Sequence, residues 1–262
     1  GGQLTVNDRK LFWKHRATLT DSRKALPKLL KWVQWDNEKA VRQLLELIPQ
    51  WVSLDVDDAL SLLGETYMIA PISALAVRSL SVIPDAELSP YLMPLAIALR
   101  YDNPEEPHLL DFLVTRAAAC GVIAVELFWL LNVEKSVGGK HVKLYTHAIA
   151  RLLGECQNSA VELEEGGGGV CDILRRQESF VGAIHGLMAE SKRFREARPR
   201  QIERLVAALS EGGTYSHLAT LQAPVNLPHA PRVWIGGLIA EQCTILKSGY
   251  NPMKLVFSTT DG

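Results

Sequence analysis

Lys247-Ser248-Gly249-Tyr250-Asn251-Pro252 is the stretch of this sequence whose residue types suit the capture of a charged small molecule. The lysine supplies a point charge, and the serine supplies a hydroxyl and a backbone amide. A glycine takes backbone angles closed to other residues and leaves room for a ligand beside the chain. Gly, Asn and Pro are also turn formers, and two apolar runs, Cys243 to Leu246 and Leu255 to Phe257, flank the stretch. That pattern predicts a β-hairpin with a polar loop at its tip. Such a loop can bind phosphate oxygens, and the same composition also makes a plain turn. A third short β-branched run, Val233 to Ile235, precedes the pair.

Other stretches offer less chemistry. Gly138-Gly139-Lys140 lacks the earlier glycine and the following Ser or Thr of a phosphate-binding P-loop, so it reads as a turn between helices. His141 and His147 are six residues apart and do not share a helix face as metal ligands four apart do. No metal site is expected, and no Ser-His-Asp or Cys-His set follows from spacing. Lys192, Arg193, Arg195, Arg198, Arg200 and Arg204 form a basic run. Glu190, Glu196 and Glu203 interrupt it, which favours a solvated helix face over a phosphoinositide patch. Phosphoryl transfer needs a lysine on the phosphates, a base or positioning group, and side chains that hold metal. No complete set of this kind can be placed in the 262 residues, so no catalytic residue is expected within them.

The elements that must position the loop are mostly helical. Val41, Leu44, Leu45 and Ile48 follow Asp36, an N-cap type, at helical spacing and end at Pro49. Val56, Ala59, Leu60 and Leu63 repeat the spacing and stop at Gly64. Ile72, Leu75, Ala76 and Ser79 form a third stripe, and Ser89-Pro90 opens a fourth through Leu92, Leu95 and Leu99. Pro94 falls inside that fourth helix and is expected to kink it or leave a carbonyl free. Leu109, Phe112 and Leu113 lead to Gly121 and the run ending Leu127 to Leu131. Short connections make successive helices antiparallel, and helices of about ten residues with one apolar stripe each predict an α-solenoid, without a strict repeat period. The glutamate- and glycine-rich segment 155–170 reads as an exposed flexible loop. Helical spacing returns from Asp172, and Gly212-Gly213 with Pro224, Pro228 and Pro231 reads as an extended linker. Strands are expected only after about residue 231.

Composition sets the class. Apolar residues make up 47%, charged residues 22%, and the net charge is −1, which excludes bulk electrostatic binding to nucleic acid or anionic membrane. Four scattered cysteines, Cys120, Cys156, Cys171 and Cys243, suit free thiols in a reducing compartment. The most apolar window, 117–133, contains Glu126 and is shorter than the roughly 20 residues of a spanning helix. Gly1-Gly2 and the polar residues after them do not read as a signal peptide.

Several long stretches resemble a known family. Leu11-Phe-Trp-Lys-His-Arg16, Lys24-Ala-Leu-Pro-Lys-Leu-Leu-Lys-Trp-Val-Gln-Trp35, Leu54-Asp-Val-Asp-Asp-Ala-Leu-Ser-Leu-Leu-Gly64 and Pro90-Tyr-Leu-Met-Pro-Leu-Ala-Ile-Ala-Leu-Arg-Tyr101 are similar to the helical accessory domain of phosphatidylinositol 3-kinases. Gly237 to Gly262 resembles the first strands of the catalytic domain, nearest the class III, vacuolar protein-sorting type. The resemblance implies a helical accessory domain over 1–190, a helix and linker over 191–231, and the first catalytic-domain strands over 232–262, which would make the chain a fragment. In the family the Lys-Ser loop covers the ATP phosphates, so Lys247, Ser248, Gly249, Tyr250, Asn251 and Pro252 are the implied cofactor-binding residues. The family loop differs at Gly249, Tyr250 and Asn251. The ATP lysine, the Asp-Arg-His loop and the Asp-Phe-Gly metal site lie on later strands and loops, so the 262 residues alone are expected to be inactive.

The resemblance further implies transfer of the ATP γ-phosphoryl group to the 3-hydroxyl of phosphatidylinositol, with Mg or Mn, in membrane trafficking and autophagy. Implied partners are a regulatory protein-kinase-like subunit and a coiled-coil adaptor, at a cytoplasmic site peripheral to endosomal or autophagic membranes. A non-catalytic helical scaffold and a related 4-kinase are the alternatives.

Overall fold

The computed structural model describes residues 5–159, 168–248 and 252–260. Helices fill the chain as far as residue 209: α1 (Val6–Lys14), α2 (Leu26–Trp32), α3 (Glu38–Leu45), α4 (Val56–Leu62), α5 (Ala70–Ser81), α6 (Asp85–Leu88), α7 (Leu92–Ala98), α8 (His108–Ala119), α9 (Gly121–Ser136), α10 (Val142–Asn158), α11 (Val170–Ser191) and α12 (Arg198–Leu209). Short 3₁₀ turns join many of them. Of the stripes read from spacing, Leu44 and Ile48, Ala59 and Leu63, Ile72, Leu75, Ala76 and Ser79, and Leu92, Leu95 and Leu99 are buried. Val41, Leu45, Val56 and Leu60 are half-buried, and Leu62, outside the stripe, is buried in α4. A fully buried leucine or isoleucine contributes about 1.5–3 kcal/mol, so these stripes drive the stacking.

Local chemistry sets the helix ends. Thr5 and Asp8 form a capping box, in which Asp8 N–H donates to Thr5 Oγ1 and Thr5 N–H donates to the Asp8 carboxylate. Asn37, not Asp36, caps α3 by accepting from Ala40 N–H at 3.1 Å. Asp55 sits at the N-cap of α4, but its carboxylate is taken by Lys24 at 2.6 Å and caps nothing. Gly138 and Gly139, at φ +80° and +77°, make the left-handed turn between α9 and α10 that most other residues would resist. Pro94 does not kink a helix: α7 starts at Leu92, so the proline falls in the first turn, where its missing N–H would lack a partner anyway. The expected loop at 155–170 is corrected at its edges. Residues 155–158 are the last turn of α10, Cys156 is buried, and 160–167 lie outside the described residues.

One device recurs between helix pairs. Arg78, on α5, donates to the carbonyls of Pro49, within the 3₁₀ turn Ile48–Gln50, and Trp51, just past it. Thirty-eight positions later Arg116, on α8, donates to the carbonyls of Ser81 (3.1 Å) and Ile83 (2.5 Å) and pairs with Asp85 at 2.6 Å. Each guanidinium fork therefore satisfies carbonyls that the end of an earlier helix or helical turn leaves without an intrahelical donor.

The strands are β1 (Val225–Leu227), β2 (Ala230–Leu238), β3 (Thr244–Ile245), β4 (Met253–Lys254) and β5 (Phe257–Thr259). An antiparallel sheet runs in the order β1-β2-β5, and β3 pairs with β4. Strand β1 lies within the stretch expected to be linker, so strands begin before residue 231. The prolines misled: Pro231 sits in β2 where the register with β1 slips, a place where a missing N–H is tolerated. Gly237, at the second slip in β2, has no room for a side chain, because a Cβ there would stand 2.2 Å from the Ala219 carbonyl.

By contacts the chain groups into two compact units, residues 1–116 with 130–151, and residues 117–129 with 152–262. The second holds the strands together with α11 and α12.

Arg116→Ala should destabilise the protein by about 1.5–3 kcal/mol, the usual value of hydrogen bonds to a charged group, and Arg116→Lys should recover less than half, since an ammonium cannot fork. Equilibrium denaturation in urea measures both. Burial pushes the Cys156 thiol up to about 11. The folded thiol thus resists ionisation more than the unfolded one, so stability present below about pH 8.5 should fall as pH rises towards 11. Cys156→Ala should flatten that fall in melts between pH 8 and 10.5.

Candidate functional site

The sequence places a hairpin turn between the runs 243–246 and 255–257. The hairpin exists, but its returning arm is β4, with Thr244 opposite Lys254 and Ile245 opposite Met253, and Phe257 of the expected arm belongs instead to β5. Leu246 N–H donates to the Pro252 carbonyl at 2.9 Å and closes its neck. Lys247, Ser248 and Pro252 stand exposed at the tip, and Gly249, Tyr250 and Asn251 lie outside the described residues. Lys254 is exposed on the returning strand. The tip thus carries an ammonium and a hydroxyl above a fixed neck, groups of the type that bind phosphate oxygens.

The root of the hairpin is anchored in a hydrophobic core. Cys243 and Ile245 are buried with Phe180 and Leu187 of α11, Leu205 and Leu209 of α12, and Ile235 and Leu238 of β2. Met253, Leu255 and Phe257 pack against the same cluster, and the rings of Phe257 and Phe180 meet at 6.1 Å. Arg198 at the start of α12 donates its Nε to the Ile245 carbonyl at 2.8 Å. The basic run therefore contains one residue that faces inward onto the hairpin. Arg204 stacks on Phe194 and pairs with Glu196 at 2.9 Å, which fits the interleaved-charge reading.

A hydrogen-bond network that sequence reading missed sits deeper. Gln177 of α11 is fully buried. Its Oε1 accepts from Trp129 Nε1 at 2.8 Å, and its Nε2 donates to the carbonyl and side-chain oxygens of Asn226 at 2.8 and 2.7 Å. Asn226 Nδ2 donates in turn to the Pro231 carbonyl at 2.9 Å. One glutamine thus joins α9, α11 and both strands of the β1–β2 pair. No periodicity marks such a residue, and only its polar type on an otherwise apolar face hints at it.

After the loop the chain returns to the sheet: β5 pairs with β2, Phe257 opposite Leu238 and Thr259 opposite Ile235. Among the described residues no group of three or more His, Cys, Asp or Glu gathers as a metal site.

Arg198→Ala should leave the helices intact but loosen the hairpin neck. The expected reading is at least tenfold faster exchange of the Leu246 amide, with less than fivefold change at Leu238, measured by hydrogen exchange.

The phosphoinositide 3-kinase family, accessory domain (PIK domain), matches residues 1–165. Phosphatidylinositol 3-kinase pik3 of Schizosaccharomyces pombe is 34% identical over 267 residues, covering 99% of this chain and 32% of that protein. The VPS34 phosphatidylinositol 3-kinases of Arabidopsis thaliana and Saccharomyces cerevisiae are 30% and 23% identical over 98% and 99% of this chain, which covers 31% and 34% of theirs. The chain spans about a third of the length of these relatives. It belongs to the phosphoinositide 3-kinase family.

Proposed function

We propose that this chain serves a phosphatidylinositol 3-kinase as its helical accessory region and the first strands of its catalytic lobe, with the tip of the β3–β4 hairpin covering the phosphates of ATP. The observation that carries the reading is the Lys247-Ser248 tip on a hairpin whose neck and root are fixed by Arg198 and the surrounding core. Lys247 attracts a phosphate oxygen, and Ser248 brings a hydroxyl and an amide. Gly249, Tyr250, Asn251 and Pro252 complete the proposed loop. Magnesium or manganese, when bound with the nucleotide, would supply neutralisation of its remaining phosphate charge.

The proposed reaction moves the γ-phosphoryl group to the 3-hydroxyl of phosphatidylinositol at the surface of an endosomal or autophagic membrane. A regulatory protein-kinase-like subunit and a coiled-coil adaptor are the proposed partners. No described helix is long and apolar enough to cross a membrane, so the proposed attachment is peripheral. A pure scaffold has no use for an anchored Lys-Ser hairpin, and the relatives' names favour 3-kinase over 4-kinase.

A charge-assisted hydrogen bond contributes about 1.5–3 kcal/mol, whereas holding ATP costs at least ~4 kcal/mol in lost freedom. Two or three contacts at this tip nearly cancel that cost. Calorimetry on the 262-residue chain should therefore find millimolar ATP affinity or weaker, and no lipid phosphorylation. In a polypeptide that also carries the remainder of the kinase, Lys247→Ala with Ser248→Ala should raise KM for ATP about tenfold, with phosphatidylinositol 3-phosphate still the product. Micromolar ATP binding by the 262 residues, or an unchanged KM in the longer protein, would place the nucleotide elsewhere.

A further inference from the structure

A cleft at the other end of the chain is unconnected with this reading. It encloses about 440 Å³ between α1, α2 and the start of α3, lined by Val6, Arg9, Lys10, Trp13, Leu29 and Trp32 among others. Its two indoles are held in place. Arg9 lies over the Trp32 ring at 5.9 Å, with Phe12 edge-on to the same ring at 5.7 Å, and Arg16 lies over Trp13 at 4.6 Å. Gln34 and Asn37 add uncharged polar groups to an otherwise apolar remaining wall, and no acidic side chain lines the cleft.

Charge is concentrated here. Residues 5–33 hold eight Lys and Arg against two Asp, in a chain that balances 28 basic against 29 acidic residues. Arg23 and Lys24 are paired with Asp55 and Asp58. Among the described residues no carboxylate comes within ion-pair distance of Arg9, Lys10 or Lys14.

We infer that this cleft docks an acidic segment of a partner protein that inserts one bulky apolar side chain between Trp13 and Trp32. Two observations select that occupant. The basic rim without a compensating acid calls for negative charge, which steers and orients a partner. The concave, aromatic-walled interior calls for an apolar anchor, the kind of pocket in which binding energy concentrates. A bilayer would instead favour a protruding apolar face, with the basic residues flanking it.

The test uses the 262-residue protein and a fluorescein-labelled decapeptide, Glu-Asp-Glu-Asp-Leu-Phe-Asp-Glu-Asp-Glu, followed by anisotropy at 50 and 300 mM salt. Micromolar binding that weakens at least tenfold in Arg9→Glu/Lys10→Glu, in Trp13→Ala and with Ser-Ser in place of Leu-Phe supports the inference, provided circular dichroism shows each variant folded. The charge-reversed pair lies on the exposed side of α1 and guards against a misfolded tryptophan variant. No binding, or binding indifferent to the apolar pair, overturns it. So does capture of phosphatidylserine vesicles without the peptide, or self-association of the chain that the same substitutions abolish.

Discussion

The amide of Gln177 is the constraint on which the strand-bearing half of this chain depends. A buried amide costs free energy unless each of its groups finds a partner. Here Trp129 supplies the donor, and Asn226 supplies both acceptors and passes the chain of hydrogen bonds on to Pro231. That requirement fixes where β1 lies along α11 and how β2 leaves it. The register slip beside Pro231 and the crowding of Gly237 against Ala219 then set the course of β2. Apolar burial supplies most of the stabilisation, but it is not directional, and the network is what selects one register.

The consequence for function is mechanical. The proposed phosphate-covering loop begins and ends at a hairpin neck, and such a loop is useful only if its base does not drift. Its base shares a core with α11 and α12, and Arg198 ties the start of α12 to Ile245. The helices thus act as the platform of the proposed loop. In the other compact unit Arg78 and Arg116 do comparable work, locking successive helical turns through carbonyls that would otherwise lack donors.

Much of this was legible in the sequence because it rests on periodicity and turn chemistry. The apolar stripes of α3, α4, α5 and α7, the glycine turn at 138–139 and the β3–β4 hairpin all follow from spacing and from Gly, Asn and Pro. What was not legible depends on partners distant in the chain. Pro94 looked like a helix breaker until the start of α7 at Leu92 put it in a first turn. Pro224, Pro228 and Pro231 looked like a linker because a register slip cannot be read from one strand alone. Asp55 had the right type for a cap and was claimed by Lys24, 31 positions earlier. The Arg78 and Arg116 device was present as Val77-Arg78 and Thr115-Arg116, but a spacing of 38 on a loose background does not announce itself. Of the candidate loop, the sequence located the neck and the exposed Lys247 and Ser248. Arg198 and Gln177 escaped because each acts through a single long-range hydrogen bond or set of bonds.

The central claim is that the strands carrying the loop fold as part of the helical core beneath them. Hydrogen exchange on the unmodified chain, followed across mild denaturant, tests this most directly. If the claim holds, the slowest amides of α11, α12, β2 and β5 share one opening free energy and one denaturant dependence, because they open together. If β2 and β5 exchange through a separate opening, several kcal/mol below that of α11, the strands are an independent appendage and the account is wrong.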